Sequence, residues 1–263
     1  MELRQQFLTK NECYQAGTPL RPRGVMVHST GVAQPDPMVF IRRWNRPDVE
    51  KCVHAFVSRD EAIQTLPWTV RGWHAGTGSS GRSANDTHLS FECCEPAGHT
   101  YRGGEMVGYD VKANKPYFDA LYRNAVELTA LLCRMFFLDP LEPGVVICHA
   151  EGYELGNASR HGDVLQWWPK HGITMDRFRE DVARSMEGDG MTQERFDQMM
   201  ERYLERRGQL PPSGWSEPAR EWAEELGIVV GDGSGERHYK SFPTREETVQ
   251  MLYRLSRAEP GQT

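Results

Sequence analysis

Apolar residues recur along this chain in two rhythms. In "GVMVHST" (24–30) a β-branched run closes on His28 and small polar residues, which predicts a core strand that delivers a histidine at its end. "CVHAFVSRD" (52–60), "THLSFECCEP" (87–96) and "GVVICHAEG" (144–152) predict three more strands of the same kind. Between them the spacing changes to three and four. "QPDPMVFIRRWNRP" predicts a short helix starting after Pro37. In "KPYFDALYRNAVELTALLCRMFFLDP" the residues Phe118, Leu121, Tyr122, Ala125, Leu128, Leu132 and Met135 share one helical face, with Pro116 at the start and Pro140 beyond the end.

Strands interleaved with amphipathic helices predict one α/β domain over residues 1–186, a central mixed sheet with helices on its faces. The pattern then changes. Residues 187–212 read as a Gly-containing break and a charged helix whose Phe196, Met199, Met200, Tyr203 and Leu204 form one stripe, closed by a Pro-Pro-Ser-Gly turn. Residues 213–263 read as a small, mainly helical module, with "SEPAREWAEELGI" and "TREETVQMLYRL" separated by the turn-rich "VVGDGSGERHYKSFP". So few residues hold only a marginal core, and the stripe must be covered by something, so a second copy of the chain is one expected partner.

Composition narrows the class. Of 263 residues, 38% are hydrophobic and 26% charged, as in an ordinary folded protein, and no stretch approaches the ~18 uninterrupted apolar residues of a membrane span. With 37 acidic against 31 basic side chains, net −6, there is no broad attraction to nucleic acid. The first residues, "MELRQQFLTKNECYQAG", lack the apolar core of a secretory signal, so a cytosolic product is expected. The six cysteines show no CxxC spacing and read as reduced, buried thiols.

The candidate chemistry lies in histidines at strand ends. His28 and His149 each follow an apolar run, an arrangement that lets two imidazoles face each other across a sheet, and imidazole is the commonest zinc ligand. A catalytic zinc takes three protein ligands. Asp163 in "SRHGDV" is a candidate third, because the loop from Gly152 to Gly162 has glycines at both ends and can fold back; it is equally suited to cap the helix beginning "VLQWWP". His54 reads as a core residue or as a group behind the ligands, and His88, His99, His171 and His238 as solvated.

His28 in "MVHST", "GWHAG" (72–76), "NDTHLSFE" ending in Glu92, and "CHAEG…SRHGDV" occur in the order found in zinc N-acetylmuramoyl-L-alanine amidases of the type-2 group, which includes phage endolysins and is similar to peptidoglycan recognition proteins. The resemblance covers residues 20–182 and implies a zinc held by His28, His149 and Asp163, with Glu92 as general base. Where many relatives carry an oxyanion-stabilising lysine, this chain has His161, which is also the rival third ligand. Trp73 and His74 are expected to line the substrate groove, and Asn85 to form a turn or a hydrogen bond to a glycan-peptide.

The implied reaction is hydrolysis of the amide between N-acetylmuramic acid and L-alanine by zinc-activated water. The alternatives are a non-hydrolysing peptidoglycan recognition protein and an unrelated zinc amidohydrolase acting on a small amide. The tail resembles one S-layer-homology module, with "GIVVGDG" and "TREE…LYR", which implies wall-polymer binding or self-association. Together these imply an endolysin acting on the peptidoglycan of Gram-positive bacteria after holin-type release, with no membrane or nucleic-acid partner.

Overall fold

All six residues of strand β2 (Gly24–Ser29) are buried, as an apolar run in the middle of a sheet requires. In this computed structural model, which describes residues 1–188, 193–231, 233 and 235–258, β2 lies between β5 (His88–Cys93) and β8 (Val146–Cys148) and runs parallel to both. The sheet continues through β3 (Ala55–Val57) and β4 (Glu61–Gln64) to β1 (Glu2–Gln5), giving the order β1-β4-β3-β5-β2-β8. The β3–β4 pair is antiparallel and the other pairs are parallel, so the sheet is mixed, as expected.

Alternation along the strands separates two faces. Val25, Val27, Leu89, Phe91, Ala55 and Val57 point to the face covered by α3 (Val111–Phe136) and α5 (Met175–Gly188), where Phe118, Leu121, Leu128, Leu132, Phe178 and Val182 complete the main core. On the other face, α2 (Pro37–Trp44) covers Phe56 and Ile63 with Phe40, Ile41 and Trp44. Toward β2 and β8 that face carries only a small apolar group, Met26, Ile147, Ala75, Ala84 and Ala158, and the histidines stand there.

Several elements depart from expectation. The strand expected over 52–60 is confined to Ala55–Val57, because Ser58 turns the chain back by accepting the Glu61 N–H, while Cys52 pairs separately with Trp73. Helix α3 begins at Val111, well before Pro116, because the Asp110 carboxylate caps it by accepting the Ala113 N–H at 2.9 Å. Strands β1 and β4 and the hairpin β6 (Thr100–Arg102)–β7 (Glu105–Val107) are too short and polar to show as apolar runs; the hairpin turns on Gly103 and Gly104, with φ of 56° and 86°. His88 and His99 are buried rather than solvated, because each ring finds partners: His88 donates Nε2–H to the Gly144 carbonyl, and His99 Nε2 lies 2.8 Å from Glu95. All six cysteines are free and buried.

The chain divides into two units, Met1–Asp189 and Gly190–Thr263. The second contains α6 (Gln193–Gly208), α7 (Glu217–Glu225) and α8 (Arg245–Arg257). Its ties are polar: Arg207 on α6 donates to the Lys240 carbonyl and stacks on Phe242, and Tyr239 donates to Glu224. Among the described residues of this unit, Ile228 is the only hydrophobic side chain that is buried, while Trp215, Phe242, Val249 and Leu252 are exposed. Of the expected stripe, Met200, Tyr203 and Leu204 are exposed, and the side chains of Phe196 and Met199 lie outside the described residues. No helix among the described residues is long and apolar enough to cross a membrane.

Candidate metal centre

His28 pairs in register with Glu92 on the neighbouring strand, so both side chains leave the sheet on the same face. Strand β8 stops at Cys148, where the Glu151 carboxylate accepts the backbone N–H at 3.0 Å, and α4 (His149–Glu154) begins on His149 itself. His149 is therefore a helix residue and not the middle of a strand running to 152. The two histidines stand at the carboxyl ends of adjacent parallel strands, the edge where α/β sheets place their ligands. Their rings cross edge to face, with centroids 5.0 Å apart.

Asp163 folds back to meet them. It is the first residue of a 3₁₀ turn (Asp163–Gln166) whose cap position is Gly162, and its carboxylate faces the two imidazoles instead of capping. Asp163 Oδ2 lies 3.2 Å from His28 Nδ1 and 2.9 Å from His149 Nδ1, and the two Nδ1 atoms are 3.2 Å apart. Its φ of 45° is left-handed backbone, which costs a non-glycine residue on the order of 1 kcal/mol and is held here by the surrounding structure.

Two imidazoles and a carboxylate are the donor chemistry of catalytic zinc, and the geometry fits. Tetrahedral bonds of about 2.0–2.1 Å place neighbouring donor atoms about 3.3 Å apart. The triangle found has edges of 2.9, 3.2 and 3.2 Å. Three lone-pair atoms so close repel unless a proton or a metal cation lies among them. Burial raises the Asp163 carboxyl, but its close contacts with the imidazoles of His149 and His28 outweigh it and hold the group well below the usual carboxylate range.

Glu92 is half-buried beside this triangle, and its Oε2, shut off from solvent, has no hydrogen-bond partner. Burial first, and then the charge of Asp163, holds its carboxyl well above the usual range, which suits a group that exchanges protons near neutrality. His161 is exposed at the rim. Its Nδ1 lies 3.3 Å from Nε2 of His149, on the far side of that ring from the triangle, and 3.2 Å from the Ser159 hydroxyl.

The residues expected in a substrate groove are packed more closely than the sequence suggests. His74 Nδ1 lies 3.0 Å from His28 Nε2, and its Nε2 lies 3.3 Å from the His88 carbonyl, so both nitrogens of His74 face protein. Asn85 is buried, and its Oδ1 accepts the N–H groups of His74 and Ala75 at 2.8 and 2.9 Å. Trp73 packs partly buried against the α2 cluster. Ser159, which the sequence pattern does not single out, donates its hydroxyl to the Ala75 carbonyl at 3.1 Å and lies 3.3 Å from His149 Nε2. Beyond β5, the buried Glu95 accepts the Gly31 N–H at 3.1 Å and the Tyr101 hydroxyl at 3.0 Å, joining the loop after His28 to the β6–β7 hairpin.

The surrounding architecture has known counterparts. Among curated proteins none matches the chain. Solved structures that share the fold include hydrolase AmiA of Staphylococcus aureus in complex with its ligand (20% identity, 71% of this chain and 83% of that one, TM-score 0.50), the catalytic domain of XlyA (22%, 69% and 99%, 0.50) and PlyL (18%, 69% and 97%, 0.51). The Amidase_2 family model, described as N-acetylmuramoyl-L-alanine amidase, matches residues 18–166, a span that contains the triangle and Glu92. The chain belongs to the Amidase_2 family.

Proposed function

We propose that the chain is a zinc-dependent peptidoglycan amidase that hydrolyses the bond between the lactyl group of N-acetylmuramic acid and L-alanine. The observation that carries this reading is the meeting of His28, His149 and Asp163 beside Glu92, whose buried Oε2 has no hydrogen-bond partner, in an Amidase_2 chain. Zinc held by the three donors supplies Lewis acidity, which acidifies water toward about neutral pH and polarises a carbonyl. Glu92 takes the proton of the attacking water and returns it to the departing amine of alanine. His161, exposed on the rim, turns an N–H toward the carbonyl oxygen as negative charge develops there. Oxygen and nitrogen balance without a covalent enzyme intermediate: water adds to the acyl carbon, and the amine leaves with the Glu92 proton.

The tail unit, with Trp215 and Phe242 open to solvent, is read as the part that meets wall polymer or a second copy of the chain. A cytosolic endolysin released onto a Gram-positive wall is the setting that fits these parts. Digestion of purified peptidoglycan tests the activity: new N-terminal alanine, released by wild type and not by Glu92→Gln, is expected. Reducing sugar ends without new amino termini would mean glycan cleavage and end the proposal, and tight muropeptide binding without turnover would mean a recognition protein.

A further inference from the structure

The His74–Ala75 stretch does something the substrate-groove reading does not require. His74 Nε2 faces the His88 carbonyl, which only accepts, so the proton of His74 sits on Nε2 and its Nδ1 is an acceptor. The only proton available for the 3.0 Å contact with His28 is then the one on His28 Nε2, which leaves His28 Nδ1 bare toward the triangle. His149 follows the same logic. The Ser159 hydroxyl donates to the Ala75 carbonyl, so the oxygen is free to accept His149 Nε2–H and leave His149 Nδ1 bare.

The two chains pass through His74 and reach Ala75, two consecutive residues, and Asn85 holds both by their N–H groups. We infer that His74 and Ala75, braced by Asn85 and acting through Ser159 on one side, are positioning residues that fix the ring tautomer of both histidines, so that each offers Nδ1 to the metal. This rests on the zinc reading above. It makes His74 a partner of the metal site instead of a surface on which substrate stacks.

The test is zinc affinity of the full chain without substrate, by competition with a chromophoric chelator, with thermal unfolding as a check on the fold and KM measured separately. His74→Phe fills the space and removes the acceptor; its affinity should fall 10- to 100-fold, the usual effect of losing a hydrogen-bond partner of a ligating histidine. His74→Asn sets its amide oxygen near the position of Nδ1 and should stay within about threefold of wild type, whereas His74→Gln supplies only the donor near Nε2 and should resemble the Phe variant. The Asn and Gln variants are alike in polarity, so their contrast decides the matter even if the Phe variant does not fold. Equal zinc affinity in wild type and the Gln variant, with a raised KM alone, would overturn the inference and return His74 to the groove. A wild type that binds no zinc, or that binds no better than His28→Ala, would overturn both this and the zinc reading.

Discussion

The side chains of the triangle differ in how they are held, and that difference separates their mutants. Asp163 sits in left-handed backbone on a turn and reaches both Nδ1 atoms, whereas His161 addresses only the outer nitrogen of His149. Asp163→Ala is therefore expected to lose zinc, and His161→Ala to retain zinc while turnover drops 10²- to 10³-fold, the usual effect of removing one oxyanion donor. Metal content and lysis rate measured on both variants check this, and the opposite pattern would exchange the two roles. Glu92→Gln replaces a carboxyl whose Oε2 makes no hydrogen bond with an amide of the same shape, so unfolding in urea should change by no more than about 1 kcal/mol while turnover falls about 10²- to 10⁴-fold. At this scale the sequence was partly legible. An apolar run ending in histidine marks a strand end, which is how His28 and His149 could be placed. The contact of His74 with His28 joins residues 46 positions apart and leaves no local pattern, so an exposed role was the natural reading of a Trp-His pair between glycines.

Between elements, His54 shows how one neutral ring ties β3 to β5 and to the turn before Trp73. Its Nε2–H donates to the Val70 carbonyl at 2.8 Å and its Nδ1 accepts the Ser90 N–H at 3.0 Å, so protonation must break a bond. Burial lowers its pKa from 6.5 to about 4. The unfolded chain takes up this proton first as pH falls, so the stabilisation is complete above pH 6.5 and is lost progressively down to about pH 4. A shift of that size corresponds to on the order of 3 kcal/mol. Urea unfolding at a series of pH values checks this, and His54→Gln should flatten the slope over that window. Burial likewise holds His74 and His88 below the usual range, so part of the slope will remain. Elements built on apolar periodicity, β2, β5, β8, α2 and α3, were visible in the sequence. β1, β4 and the β6–β7 hairpin were not, because each is only three or four residues long and held by pairing: β1 and the hairpin are edge or surface pieces, and the buried β4 sets only Ala62 and Ile63 between polar ends.

For the molecule as a whole, the two units differ in what holds them. Among the described residues, the three buried apolar clusters lie within Met1–Asp189, while the second unit relies on ion pairs, caps and cation–π contacts around a single buried isoleucine. A chain ending at Asp189 should therefore unfold cooperatively, bind zinc as the full chain does and cleave soluble muropeptides at an unchanged rate, while losing affinity for whole cell walls. Sedimentation of the full chain at micromolar concentration distinguishes a self-associating tail from one that waits for polymer. The sequence marked the change near residue 187 through the end of the strand rhythm, but the tail's faces were legible only as stripes, since a stripe does not say what covers it.

The shared footing of the two imidazoles also bears on redesign. Moving the backbone of the Trp73–Gly76 stretch would disturb both nitrogen donors together, so metal preference cannot be retuned there one histidine at a time. The carboxylate hangs from a separate turn and can be exchanged independently. Asp163→Cys would bring in a softer donor and move selectivity toward thiophilic ions, leaving the histidine pair as a fixed platform on which different catalytic metals can be compared.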